Sequence, residues 1–258
     1  MPRFAANLNW LFTEHAFLDR FAAARRAGFR AVEFPSPYEH PARAVAERLH
    51  ENDLECILFN LPSGDKAKGD FGIACRPGRE DEFREGVARA IEYAGVLGCR
   101  RLNCIAGKAE PGEARARLHA VLSSNLGFAA GEIKKAGLDF VVEPINDRDI
   151  PGFFLTRQHD AAELIAEIGS VNLGLQCDIY HTVMMGDDPA DILRTLMPVI
   201  RHVQFADAPG RGEPGTGRID FEPLFALLDR LGYDGWVSAE YRPSRATVET
   251  LHWLSPRS

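Results

Sequence analysis

Eight short apolar runs, each followed by an amphipathic segment, constrain this chain more than any other feature. The runs fall at 4–8, 31–34, 55–60, 101–105, 139–145, 173–178, 202–206 and 236–241. The segments between them have a helical period. Over 82–97, Phe83, Val87, Ala90, Ile91, Ala94 and Leu97 share one face. Another begins behind Asp220, an expected N-cap, buries Phe221, Leu224, Phe225, Leu228 and Leu231, and stops at Gly232. Alternating strand and helix requires a parallel sheet with crossovers. Eight such units in 258 residues fit a closed (β/α)₈ TIM barrel, read as one α/β domain over 1–258. The first strand–helix turns hold no G-x-G-x-x-G, so a nucleotide cofactor has no support.

Hydrophobic residues make up 45% of the chain and charged residues 26%, enough to bury a large core without disulfides. The cysteines (Cys56, Cys75, Cys99, Cys104 and Cys177) are odd in number and form no C-x-x-C pair. They read as buried, reduced thiols of a cytoplasmic protein. A net charge of −7 argues against nucleic acid as partner. No run approaches the ~20 apolar residues of a membrane span, so no membrane partner is expected. The opening Met1-Pro2-Arg3-Phe4 goes straight into a strand pattern and shows no signal peptide. The longest connection, 62–79, holds Gly64, Gly69, Gly72, Pro77 and Gly78 and reads as either a lid or a solvent loop.

In a parallel barrel, function gathers at the C-terminal ends of the strands. Four consecutive runs end there in an oxygen ligand: Glu143, Asp178, Gln204 and Glu240. Alternation supports one inward tier. If Glu143 points inward, so does Val141, while Val142 faces the helices. Gln176, His202 and Ser238 then lie one step below Asp178, Gln204 and Glu240. Converging carboxylates raise one another's pKa, and a divalent cation removes that conflict. Three anionic oxygens and one neutral carbonyl suit Mg²⁺ or Mn²⁺ better than Zn²⁺. His181, just past Asp178, is a candidate for hydrogen bonding to substrate or for the metal shell, whereas His202 reads as a core histidine. Arg211, in the glycine-rich stretch 207–217, and Lys108 are candidates for a substrate carboxylate. Asn60 is one for a hydroxyl.

Several stretches resemble the hydroxypyruvate isomerase family, within the wider xylose-isomerase-like barrels. They are Glu143-Pro144-Ile145-Asn146 with Asp149-Ile150-Pro151-Gly152-Phe153, Gln176-Cys177-Asp178-Ile179-Tyr180-His181, Arg211-Gly212-Glu213-Pro214-Gly215-Thr216-Gly217 and Gly235-Trp236-Val237-Ser238-Ala239-Glu240-Tyr241. Phe4-Ala5-Ala6-Asn7-Leu8 and Pro77-Gly78-Arg79-Glu80 are similar to it too, so the likeness spans nearly the whole chain. The resemblance implies that Glu143 and Glu240 act as acid and base and that Glu143, Asp178, Gln204 and Glu240 surround the metal. The implied reaction interconverts hydroxypyruvate and tartronate semialdehyde through an enediolate, with a small keto acid as partner. A homo-oligomer stays open.

A sister group that isomerises four-carbon 2-oxo-tetronates is resembled as well, chiefly by Met1-Pro2-Arg3-Phe4-Ala5-Ala6-Asn7-Leu8. Two other classes compete. A zinc phosphodiesterase for damaged DNA uses the same barrel but needs a histidine-rich three-zinc cluster. A non-catalytic sugar-acid binder has no use for the carboxylate tier, which would cost stability.

Overall fold

A computed structural model describes residues 2–254; Met1 and the last four residues of the expected 1–258 domain lie outside it. Eight parallel strands close in sequence order into a barrel. They are β1 (Arg3–Asn7), β2 (Ala31–Glu33), β3 (Glu55–Asn60), β4 (Arg101–Ile105), β5 (Asp139–Glu143), β6 (Leu173–Asp178), β7 (Ile200–Phe205) and β8 (Trp236–Ala239). The ring closes where Arg3, Phe4, Ala5 and Ala6 of β1 pair with Trp236, Val237, Ser238 and Ala239. Three strands keep the expected limits. β7 starts two residues earlier than its apolar run, because Arg201 interrupts the pattern while its flanks Ile200 and His202 are buried.

The helical layer comprises α1 (Phe17–Arg26), α2 (Ala42–Glu51), α3 (Glu80–Leu97), α4 (Arg115–Lys135), α5 (Gln158–Ile168), α6 (Ile179–Met184), α7 (Pro189–Leu196) and α8 (Phe221–Arg230). Asp220 stands at the N-cap of α8, though its side chain makes no capping bond. Two departures from one helix per strand appear. The β6 connection holds two helices, α6 and α7, each with an aspartate (Asp178, Asp188) bonding a first-turn N–H. After β8 the described residues form only a 3-10 stretch, Thr247–Trp253. There the Trp253 ring packs edge-on at 5.2 Å from Phe4 and 5.0 Å from Phe205, filling the place of a longer helix.

The alternation argument holds inside the barrel. Val141 joins Ala5, Ala31 and Ile57 in a small inner cluster, whereas Val142 packs in the large cluster between sheet and helices. Ile57, Leu58 and Val141, with the partly buried Trp236 against them, fill this lower layer, and the upper end is left to polar groups. All five cysteines are buried and unbridged. No helix among the described residues is long and apolar enough to cross a membrane.

Candidate active site

Polar residues rise from the end of every strand, not only the last four. Asn7, Glu33, Asn103, Glu143, Asp178 and Gln204 are each at most 5% exposed. Asn60 ends β3, and Glu240 follows β8 directly. Of these, Asn60, Glu143 and Glu240 line a cavity of about 600 Å³, whose walls also include Trp10, Tyr180 and Arg211.

The lowest layer is a hydrogen-bond set around Glu33, joined to the layer above where Asn7 Nδ2 also donates to Glu240 Oε1 at 3.2 Å. Glu33 Oε2 lies 2.6 Å from His202 Nε2. Its Oε1 accepts from Gln204 Nε2 at 2.6 Å and from Asn7 Nδ2 at 2.8 Å. Burial alone would raise the Glu33 pKa; the His202 ring and these donors outweigh it and leave the carboxyl below its ordinary value. With its amide nitrogen on Glu33, Gln204 turns its Oε1 toward Gln176 Nε2, 2.6 Å away. His202 is the fully buried, hydrogen-bonded core histidine that its position suggested.

Above this layer lie groups with fewer partners. Glu143 Oε2 accepts one bond, from Asn103 Nδ2 at 3.0 Å. Burial, then the nearby charges of Glu240 and Asp178, push its pKa well up. Asp178 caps α6 by accepting from the Tyr180 N–H at 2.7 Å. Burial raises it, against the pull of Arg211 and of backbone donors. Glu240 is raised to about 8 by burial, partly offset by Arg211. His181 Nε2 faces Asp178 Oδ2 at 3.5 Å and Glu143 Oε1 at 4.0 Å. Burial, then Arg211, lowers its pKa well below the imidazole norm.

Arg211 completes the site from the β7 loop. Its Nη2 lies 2.7 Å from Glu240 Oε2 and 3.5 Å from Asp178 Oδ2. Its guanidinium is sandwiched by Trp10 and Tyr180, at 4.6 and 4.9 Å from their ring centres. The loop is held rigid by buried Asp207, which accepts from the backbone N–H groups of Ala208, Gly215, Gly217 and Ile219. A Cβ at Gly217 would sit 2.2 Å from the Ala208 carbonyl oxygen. That glycine therefore serves the loop's own folding onto Asp207.

The other candidates divide. Asn60 lines the cavity, and its Oδ1 accepts from Asn103 at 3.1 Å. Lys108 is not among the cavity-lining residues; it forms a backbone bridge with Phe153. The cations at the rim are instead Lys66 and Arg242, both exposed and neither paired with a carboxylate among the described residues. Lys66 belongs to the 62–79 connection, of which Ser63, Asp70 and Phe71 also line the cavity. Its far end is fastened: the Cys75 N–H donates to the Ala106 carbonyl at 2.8 Å, and a Cβ on Gly72 would meet the Ile105 carbonyl at 2.4 Å. The connection is a cavity wall.

The carboxylates fit a divalent cation. Oxygens of Glu143 and Asp178, both buried, lie within 4.8 Å of each other, with a ring nitrogen of His181 as close to both. Burial first, and at Glu143 the neighbouring Glu240 and Asp178, disfavour the charged carboxylates, a cost that a bound cation would offset.

Comparison with known proteins agrees with this geometry. The chain belongs to the xylose isomerase-like TIM barrel family, whose model matches residues 21–257. Within it, the chain stands with the hydroxypyruvate isomerases and 2-oxo-tetronate isomerases, and it is an isomerase. It is 48% identical over 256 residues to the 2-oxo-tetronate isomerase of Cupriavidus necator, covering 99% of this chain and 98% of the relative. It is 46% identical over 256 residues to the hydroxypyruvate isomerase of Escherichia coli, covering 99% of both. A solved structure from Brucella melitensis, described as an AP endonuclease of family 2, superposes with a TM-score of 0.97 at 39% identity over 99% of each chain.

Proposed function

We propose that this isomerase interconverts hydroxypyruvate and tartronate semialdehyde with a divalent cation, Mg²⁺ or Mn²⁺, held by Glu143, Asp178, Gln204 and Glu240. The observation that carries the reading is the pair Glu143 and Glu240, three strands apart and facing one cavity. Two carboxyl groups on either flank of one cavity can take a proton from one carbon and deliver one to its neighbour. The cation would neutralise the carboxylate cluster and polarise the substrate's adjacent oxygens.

In the forward direction one glutamate takes a proton from C3, and the C2 carbonyl becomes the second oxygen of an enediolate. The other glutamate delivers a proton to C2, while the hydroxyl proton on O3 passes to O2. Bonds balance: one C–H is broken and one formed, and no oxidant is consumed. Arg211, clamped between two rings beside Glu240, stabilises negative charge on the reacting oxygens. Lys66 and Arg242 at the rim receive the substrate carboxylate. Five buried free thiols support a cytoplasmic setting.

A second reading, isomerisation of four-carbon 2-oxo-tetronates, is favoured by the room in the cavity, about 600 Å³. The DNA phosphodiesterase reading finds little support. The charge is −7, and of the histidines at the floor, His202 is engaged by Glu33. Turnover of hydroxypyruvate against 2-oxo-tetronates, with and without chelator, decides. Hydroxypyruvate turnover lost on chelation supports the proposal. Preference for the four-carbon acids transfers it to the second reading, and chelator-indifferent turnover removes the metal.

A further inference from the structure

The loop after β5 carries a hydrogen-bond set that the proposed chemistry leaves unused. Asn146 is fully buried. Its Oδ1 accepts from the backbone N–H of Arg148 at 3.1 Å and of Asp149 at 2.8 Å. Its Nδ2 lies 3.0 Å from Asp149 Oδ2 and 2.6 Å from His181 Nδ1. These contacts fix the amide's orientation. Rotated by half a turn, Oδ1 would face a carboxylate and Nδ2 would face two N–H donors. Nδ2 therefore donates to His181 Nδ1, and the Asn146 backbone N–H points at the same atom at 3.4 Å.

An imidazole nitrogen that receives two N–H donors has no place for a proton of its own. The ring proton then lies on Nε2, the atom facing Asp178 and Glu143. A nitrogen bearing a proton offers no lone pair to a metal. Metal-ligating histidines show the reverse pattern, giving their second N–H to a carboxylate or carbonyl. Here the second nitrogen meets donors.

We propose that Asn146 is a positioning residue that locks His181 as its Nε2–H tautomer, making His181 a hydrogen-bond donor to a substrate oxygen and removing it from the metal shell. The identity of that substrate rests on the isomerase reading above; the tautomer does not. Asp149 ties the device to the rest of the site. Its Oδ2 also accepts from the Tyr180 hydroxyl at 2.8 Å, and the Tyr180 ring covers Arg211. One carboxylate thus orients the supports of both cavity donors, His181 and Arg211.

The test is the proton position on the His181 ring, read from two-bond proton–nitrogen correlations of nitrogen-labelled protein with and without saturating Mg²⁺. A bare Nδ1 and a protonated Nε2 in both states are expected. A proton on Nδ1 in the Mg²⁺-loaded protein would overturn the proposal. The double substitution Asn146→Asp with Asp149→Asn keeps the pairing of residues 146 and 149, makes the Tyr180 hydroxyl accept from residue 149, and turns the nearer of Nδ1's two neighbours from donor to acceptor. A proton should then appear on Nδ1, and Nδ1 remaining bare would equally overturn the role of Asn146. If the double variant does not fold, the wild-type spectrum alone decides. Neither readout needs turnover, so loss of the substrate assignment leaves the result standing.

Discussion

Glu33 and Glu143 are the same residue type, both end a barrel strand and both are shut away from solvent, yet their carboxyls shift in opposite directions. Glu33 is surrounded by His202, Gln204 and Asn7, all within 2.8 Å. Glu143 has Asn103 alone and looks across at Glu240 and Asp178. Burial penalises both; supply of donors decides the sign. A satisfied buried carboxylate is scaffold, and one short of donors is ready for a proton or a cation.

The comparison breaks most visibly through activity. Glu143→Gln and Glu240→Gln should each lower hydroxypyruvate turnover and C3 proton exchange by ~10²–10⁴-fold, the usual worth of a general acid or base. The melting temperature of Glu143→Gln without metal should hold or rise, since that change removes a buried carboxyl repelled by Glu240 and Asp178, whereas Glu240→Gln also removes the partner of Arg211 and should gain less. Full exchange in both variants would take these residues out of the chemistry.

The opposite profile is expected at Glu33. Glu33→Ala leaves His202, Gln204 and Asn7 without their shared acceptor, a loss of about 3–5 kcal/mol for a broken buried ionic set. Thermal melts should show a fall of roughly 6–20 °C, at ~2–4 °C per kcal/mol. An unchanged melt would mean that Glu33 is no more scaffold than Glu143.

A smaller effect sharpens the electrostatics. Glu240 holds its proton up to about 8 in the folded chain, against an ordinary 4.5. Between those values the folded state binds more protons than the unfolded one, so metal-free stability falls as pH rises through that window. A cation that replaces the proton reverses the loss. The rise in melting temperature on adding Mg²⁺ should therefore be larger at pH 8 than at pH 6; an equal rise at both would detach the metal from these carboxylates.

The contrast also explains what could be read beforehand. The barrel was legible because eight period-2 runs alternate with period-3.6 segments. Glu143, Asp178, Gln204 and Glu240 were legible because each closes an apolar run on neighbouring strands. Glu33 gives the same local signal, in Ala31-Val32-Glu33, but on a three-residue strand far along the chain from the others. Only barrel closure sets it beneath Gln204. Asp207 and Asn146 were hidden differently. Their work is hydrogen bonding to loop backbone and to a ring nitrogen, which depends on loop path and not on periodicity. Lys108 was chosen for following β4, but its backbone turns to pair with Phe153, away from the cavity wall. The chain's overall helix count failed after β8, where Trp253 supplies bulk that a helical pattern would have signalled.

The rim offers the mildest change and the clearest separation of binding from chemistry. Arg211, the first candidate for the substrate carboxylate, already lies 2.7 Å from Glu240 and 3.5 Å from Asp178. A substrate carboxylate there would compete with two built-in ones. Lys66 and Arg242 have no such engagement, line the same cavity and arrive from different strand ends, after β3 and after β8. Both are exposed, so water and salt weaken each contact. Lys66→Ala and Arg242→Ala should each raise KM by about 3–10-fold with kcat nearly unchanged, the mark of binding lost equally from ground and transition state. Added salt should shrink the wild-type advantage. A fall in kcat at constant KM would instead assign these cations to the reacting centre, and the division between a carboxylate-binding rim and a proton-moving floor would fail.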